Sequence, residues 1–280
     1  MARRLAALLA VLLVVAGCSS WEDKTLPSGF VNGTSVHHIK VGGLDRKYRL
    51  YLPTGVPASA PLVVVMHGYS GSARQAERDY KWDEVADSGK FVVAYPDGLN
   101  RAWNVNGEGC CGRPGREGVD DVAFSGAIVA DIVKNVNINP GKVYATGMSN
   151  GGIMSYTLAC STDIFAAIGP VAGTQLSTCR SPHPASVMHI HGTADRLVPY
   201  NGGQGFSVIN GPSVPDLNAF WRNVDRCGAP AATTDGPVTT STARCADNRG
   251  IVLITIDQGG HDWPPFAAQT LWQFFAAHSR

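Results

Sequence analysis

Charge is scarce in this chain. Asp, Glu, Lys and Arg together make up 16% of the 280 residues and leave a formal net charge of +1. So small a field gathers no polyanion, and beyond the first residues no run of Lys and Arg lines up as a basic groove, so nucleic-acid partners are set aside. An internal repeat is also missing, which leaves repeat arrays without support. The C-x-x-C spacing that zinc sites favour does not occur. The two cysteines nearest in sequence, Cys110 and Cys111, are adjacent, so no metal site is expected. What is plentiful is apolar residue, at 44%. That excludes a disordered or highly charged tail and makes a sizeable core possible. The length suits one large α/β domain or two small ones and does not choose between them.

The first residues read as an export signal. Arg3 and Arg4 form a positive n-region, and Leu5 to Ala16 an apolar h-region too short to span a bilayer comfortably. The segment ends in Val15-Ala16-Gly17-Cys18, followed by Ser19 and Ser20, and resembles the lipobox of bacterial lipoproteins. That resemblance implies cleavage before Cys18 and lipid on its thiol and new amino group. The competing reading is an ordinary secretory signal with an incidental cysteine and a fully secreted product. Residues 1–17 are thus expected as a lipoprotein signal peptide and 18–33 as a lipid-anchored linker. Residues 34–280 are expected as a single catalytic domain outside the cytoplasm, at the outer face of the cell membrane. Of the seven cysteines, setting Cys18 aside leaves six, an even number suited to an oxidising compartment. Cys227 and Cys245 flank a segment of small residues and are expected to pair as a loop clasp. Cys110, Cys111, Cys160 and Cys179 would form two further bridges, with connectivity left open.

The body of the chain alternates strands with helices. Thr34 to Pro53 reads as an antiparallel hairpin with Tyr48, Leu50 and Leu52 on one face. Pro61 to Gly68 is a continuous apolar run of the kind buried on both faces of a parallel sheet. A helix over 72–87 with Ala76, Tyr80, Trp82 and Val85 inward precedes a buried strand at 91–96. A second helix runs over 120–134, capped by Asp120, with Val122, Ala123, Ala127, Ile128 and Ile132 as its apolar stripe. Strands follow over 165–171, 185–191 and 250–256, with helices over 216–225 and 270–278, and 230–242 reads as a linker-like stretch. This pattern predicts an α/β protein with a mostly parallel central sheet flanked by helices.

One stretch breaks the alternation. The strand run from Lys142 meets Gly147-Met148-Ser149-Asn150-Gly151, the G-x-S-x-G pattern of a nucleophile elbow, in which a serine sits on a tight turn between strand and helix. The helix after it would aim free amides and its positive dipole end at Ser149, where negative charge could develop. A serine nucleophile also needs a base and a carboxylate to orient it, which in α/β-hydrolases follow in the order Asp or Glu, then His. Asp195 lies in the loop after the strand ending at His191, and His261 in the loop after the strand 250–256, both at the edge where such sheets place ligands. Asp257, Asp262 and Asp121 are rival carboxylates. Asp262 adjoins His261, Asp257 belongs to the strand end, and Asp121 precedes the serine, so Asp195 is favoured. His189 and His191 lie on a strand and are expected to be packed or hydrogen-bonded. The oxyanion hole should combine the amide of Asn150 with one from the loop His67-Gly68-Tyr69-Ser70-Gly71, Tyr69 being favoured over Gly68.

The motifs His67-Gly68, Trp103-Asn104, Val119-Asp-Asp-Val122, Gly147-Met-Ser-Asn-Gly-Gly152, His191-Gly-Thr-Ala-Asp195 and Gly259-Gly-His-Asp-Trp-Pro264 occur in register from about Tyr48 to the C-terminus. Together they resemble the esterase family of polyhydroxybutyrate depolymerases and feruloyl esterases, in particular its mycobacterial lipoprotein esterases. The resemblance implies an α/β-hydrolase fold without a separate lid domain. It also implies hydrolysis of carboxylic esters without metal or organic cofactor, and a triad of Ser149, Asp195 and His261. It suggests Trp103 and Trp263 as lining of the acyl or polymer site, beside the equal reading that each is packing. One departure is that no separate substrate-binding domain follows the catalytic part, which argues against attack on solid, crystalline polymer. A peptidase with the same triad and a non-catalytic surface binding protein on a hydrolase scaffold are the alternatives. The pattern leaves open whether the acyl group is aromatic or an aliphatic hydroxyacid, and points to no particular oligomeric state.

Overall fold

The computed structural model describes residues 26–105 and 110–280. The expected signal peptide, Cys18 and the first part of the linker lie outside the described residues. Along the chain come the strands β1 (Gly33–Val41), β2 (Leu44–Leu52) and β3 (Ala60–Met66), then the helices α1 (Ala73–Tyr80) and α2 (Trp82–Gly89). They are followed by β4 (Val92–Pro96), α3 (Gly112–Glu117), α4 (Asp121–Asn135), β5 (Ile138–Met148) and α5 (Asn150–Ser161). Next are β6 (Ala167–Val171), β7 (Ser186–Gly192), β8 (Gly203–Gln204), β9 (Asn210–Gly211) and α6 (Val214–Val224). The last elements are β10 (Ala231–Asp235), β11 (Val238–Arg244), β12 (Gly250–Ile256) and α7 (Ala267–Ala276).

The main sheet has ten strands in the order β1-β2-β4-β3-β5-β6-β7-β12-β11-β10. Its centre, from β4 to β12, is parallel, and antiparallel hairpins extend both edges. Alternation along β3 shows how the layers arise. Leu62, Val64 and Met66 point into one apolar layer with Phe124 and Ile128 of α4, Ile153 and Tyr156 of α5, and Trp221 of α6. Val63 and Val65 point into the other, with Ala76 of α1, Trp82 of α2 and Leu271 and Phe275 of α7. Helices therefore cover both faces, as a parallel sheet buried on both sides requires. Among the described residues no helix is long and apolar enough to cross a membrane.

Several local expectations are corrected. The helix expected over 72–87 is two helices, because Lys81 takes a left-handed conformation with φ of 60°; Ala76, Tyr80, Trp82 and Val85 are nevertheless all buried. The inner face of α4 is Phe124, Ile128, Val129 and Ile132 rather than the stripe through Ala123, which is exposed. The linker-like stretch 230–242 is the β10–β11 hairpin. Its small threonine-rich strands alternate on the sheet edge, and the Cys227–Cys245 disulfide closes its base. Of the four cysteines left open, Cys160 bonds Cys179 and Cys110 bonds Cys111. Three disulfides fit an oxidising compartment.

Candidate active site

Ser149 stands between β5 and α5 with φ of 56° and ψ of −120°, a conformation in which a non-glycine residue is strained and which persists only when its surroundings fix it. Those surroundings are backbone. The Ser149 amide donates to the carbonyl of Val171 at 2.9 Å, and its own carbonyl accepts from the Ile153 amide at 2.8 Å. The flanking glycines are sterically required. A Cβ on Gly147 would lie 2.5 Å from the Met66 carbonyl oxygen, and one on Gly151 would lie 2.7 Å from that of His67 and closer still to that of Met66. Any side chain at either position would push β3 away from the turn.

Asp195 and His261 come from neighbouring parallel strands. β7 and β12 pair in register up to Gly192 opposite Ile256, and the loops beyond them are stitched together by the Ala194 amide on the Gly259 carbonyl at 2.9 Å. This brings Nδ1 of His261 to 2.7 Å from Oδ2 of Asp195. The other oxygen, Oδ1, accepts the backbone amides of Leu197 and Val198 at 2.8 and 2.9 Å. Burial alone would push the Asp195 carboxyl up. Hydrogen bonds from His191, His261 and the Val198 amide outweigh it and hold the group well below the usual carboxylate range. The rival carboxylates are placed elsewhere. Asp121 is buried against Arg46 at 2.7 Å and the Asn104 amide at 2.7 Å. Asp257 meets the Thr193 hydroxyl at the surface, and Asp262 is exposed.

His191, expected as a packed strand residue, does more than pack. Its Nε2 lies 2.8 Å from the Val198 carbonyl and 3.3 Å from Oδ2 of Asp195. Since a carbonyl only accepts, that nitrogen carries the proton and donates toward the carboxylate. Behind it the chain continues inward, His191 Nδ1 to His189 Nε2 at 2.9 Å and His189 Nδ1 to the Tyr156 hydroxyl at 2.9 Å. Burial holds His189 well below the usual histidine range and Tyr156 well above the usual phenol range, so both stay neutral. The carboxylate thus meets four donors, and its position is set from the core.

The loop after β3 lies directly over the serine, and a Cβ on Gly68 would be 3.5 Å from that of Ser149. Buried His67 accepts the Gly98 amide at Nε2 at 2.9 Å, which puts its proton on Nδ1 and toward the Gly68 carbonyl at 2.7 Å. The same carbonyl accepts the Gly71 amide at 3.0 Å. The Tyr80 hydroxyl lies close by, and burial raises its pKa to about 12. With the Gly68 carbonyl held by His67, the trans peptide turns the Tyr69 amide the opposite way. Trp103 is fully buried and does not line the cavity. Its indole donates to the His67 carbonyl at 2.8 Å, while its backbone is gripped by the Asn150 side chain, Oδ1 accepting its amide at 2.8 Å. It ties the loop to the elbow from beneath. Trp263 stacks on Tyr80 with ring centres 4.3 Å apart and likewise lies off the cavity wall.

Ser149, His261, Asn150, Gly68 and Tyr69 share one cavity of about 670 Å³. Its far wall, Leu197 and Phe206 to Ile209, was not foreseen from the sequence. Among the described residues eight large apolar side chains are exposed, and four of them, Tyr69, Leu197, Phe206 and Val208, line this cavity. The signal was apolar residues in a glycine-rich stretch with no periodicity to bury them. The Cys110–Cys111 pair also reaches the wall through Cys111. Among the described residues no group of three or more His, Cys, Asp or Glu is placed to hold a metal ion.

Known proteins similar to this chain in sequence or fold are named as esterases or depolymerases. A family model described as Esterase PHB depolymerase matches residues 46–201. A putative esterase, NocK, of Nocardia uniformis subsp. tsuyamanensis is 33% identical over 257 residues, covering 82% of this chain and 74% of that protein. A probable feruloyl esterase C of Aspergillus oryzae is 31% identical, covering 96% of this chain and 95% of its own length. Among solved structures, an acetyl xylan esterase from Aspergillus awamori superposes with a TM-score of 0.67 at 16% identity, over 87% of this chain and 99% of that one. A poly(3-hydroxybutyrate) depolymerase from Bordetella parapertussis does so with a TM-score of 0.57 at 16% identity, over 86% and 89%. These last two speak for the fold. The chain therefore belongs to the esterase family of polyhydroxybutyrate depolymerases, carboxylic ester hydrolases with a mostly parallel sheet of the α/β-hydrolase kind.

Proposed function

We propose that the protein is an exported serine esterase acting through an acyl-enzyme on Ser149, on polyhydroxyalkanoate-type oligomers or hydroxycinnamoyl esters. The observation that carries this reading is the 2.7 Å contact of His261 with Asp195 in a cavity that also holds Ser149 at its strained turn. Asp195 fixes the His261 proton on Nδ1, leaving the lone pair of Nε2 for the serine. His261 takes the hydroxyl proton as Oγ attacks the ester carbonyl, and the amides of Asn150 and Tyr69 hold the resulting oxyanion. The imidazolium returns that proton to the leaving alkoxide, and the alcohol departs. Water then loses a proton to His261, adds to the acyl-serine carbonyl and releases the acid, and the proton goes back to Oγ. No step calls for a metal or organic cofactor.

The experiment is an initial-rate panel on the purified protein, with short-chain, long-chain, hydroxycinnamoyl and hydroxybutyrate esters set against amides of matched acyl group. Esters are expected to turn over and the matched amides to lag far behind. Faster hydrolysis of the amides would make the protein a peptidase, and no turnover together with no labelling by a fluorophosphonate would make it a binding protein.

Export with a lipid on Cys18 is part of the same proposal, supported by the lipobox-like residues before it and by the three disulfides. In a bacterial host, Cys18→Ser is expected to abolish incorporation of labelled palmitate and to move the protein out of the membrane fraction. Unchanged fractionation without palmitate in the wild type would sink the lipid anchor.

A further inference from the structure

We infer that Arg116 binds a carboxylate on the substrate, so that the preferred ester is an apolar hydroxyalkanoate oligomer ending in a free acid. This inference rests on the esterase reading above and narrows it. Gly112 and Arg116 both belong to the short helix α3. A Cβ on Gly112 would lie 3.0 Å from Cε2 of Tyr69, and Gly112, Arg116 and Tyr69 all line the cavity. Arg113, on the same short helix, is engaged with Glu117 at 2.6 Å. Arg116 makes no hydrogen bond or ion pair among the described residues.

The rest of the wall sharpens the contrast. Among the described residues neither Asp, Glu nor Lys lines the cavity, and Arg116 is the one permanently charged side chain there, beside the apolar Leu197, Phe206, Val208 and Ile209 that also line it. A guanidinium is always protonated and presents a planar fork of N–H donors that matches a carboxylate. Arg116 is exposed, so its attraction for an anion acts through solvent and falls with added salt. An ester suited to this cavity is therefore apolar along its body and anionic at one end. A hydroxycinnamoyl group is neutral, whereas a linear hydroxyalkanoate oligomer ends in a carboxylate.

The test compares a linear 3-hydroxybutyrate trimer bearing its free carboxylate with the same trimer ending in a primary amide, p-nitrophenyl butyrate being assayed alongside. In low salt the wild type is expected to favour the acid by about three- to fivefold in kcat/KM, the size of one exposed ion pair. The ratio should fall toward one in Arg116→Gln and at high salt, where the attraction is screened. Arg116→Lys should keep part of it, and Arg113→Gln, on the paired arginine, all of it. A wild-type ratio of one or less, or a ratio that survives Arg116→Gln, overturns the inference while leaving the esterase reading in place. Failure to hydrolyse any of the three esters overturns both.

Discussion

Ser149→Ala is expected to lower kcat on any ester by on the order of a thousandfold or more, with the fold intact. The substitution removes one oxygen and disturbs little else. The two backbone hydrogen bonds that hold the turn, from the Ser149 amide to Val171 and from the Ile153 amide to Ser149, involve main-chain atoms that alanine keeps. Alanine at φ of 56° is strained no more than serine, so the thermal midpoint should stay close to that of the wild type. What disappears is the hydroxyl to which the proposed mechanism assigns the attack, in the cavity that Ser149 shares with His261, Asn150 and Tyr69. A residual rate above background is expected, since those amides would still stabilise an oxyanion formed by direct attack of water. The purified variant should also lose labelling by a fluorophosphonate. Hydrolysis of p-nitrophenyl butyrate at a rate near that of the wild type would move the nucleophile to another residue.

The parts of this site that were legible in the sequence are those set by local sterics and chain order. Gly147 and Gly151 could be read because a turn this tight leaves no room for a Cβ, which the approach of the Met66 and His67 carbonyls bears out. Asp195 and His261 could be read because each follows an apolar run that ends at the sheet edge. What was not legible depends on contacts between distant segments. A tryptophan that lines a cavity and one that braces a loop have the same local sequence. Trp103 is recognisable as a brace only once His67 and Asn150 are seen around it. The break at Lys81 is invisible for the reverse reason, since neither glycine nor proline marks it and its flanks both favour helix. The β10–β11 hairpin reads as a linker in sequence although Asp235-Gly236 is a turn signal. Its exposed β10 and half-buried, threonine-rich β11 lack the apolar face by which a strand is usually found.

The His191 arrangement links the core to the chemistry. A strand residue whose side chain is buried normally contributes packing alone, yet here Tyr156, His189 and His191 pass hydrogen bonds from helix α5 through strand β7 to Asp195. Such a line needs every member to be satisfied, because an unpaired polar group at that depth is costly. The neutral state that burial imposes on His189 is what lets it serve as a bridge, since a protonated ring would lack the acceptor.

Asp195→Asn is expected to lower kcat by on the order of ten-thousandfold, through the tautomer of His261 and not through lost packing. The side chain is nearly isosteric, but its two oxygens are not equivalent. Oδ1 accepts two backbone amides, of Leu197 and Val198, that cannot move, so the amide oxygen of asparagine must stay there. Its NH2 group then occupies the place of Oδ2 and confronts His261 Nδ1 and His191 Nε2. His191 is held with its proton on Nε2 by the Val198 carbonyl and cannot turn acceptor. His261 can, by shifting its proton to Nε2, and in that tautomer it has no lone pair for Ser149. Raising the pH does not restore it, so the loss should be flat across neutral and alkaline pH. The stability of the pair should differ in a pH-dependent way. The Asp195 carboxyl is depressed below its unfolded value, near 4. Its contribution is therefore fully present above that value and is lost as pH falls through the lower folded one. The melting-temperature gap between wild type and variant should be constant from neutral pH down to about 4 and should close below it. A gap that instead widened under acid conditions, or a variant within tenfold of wild-type kcat, would show that Asp195 does not orient the base.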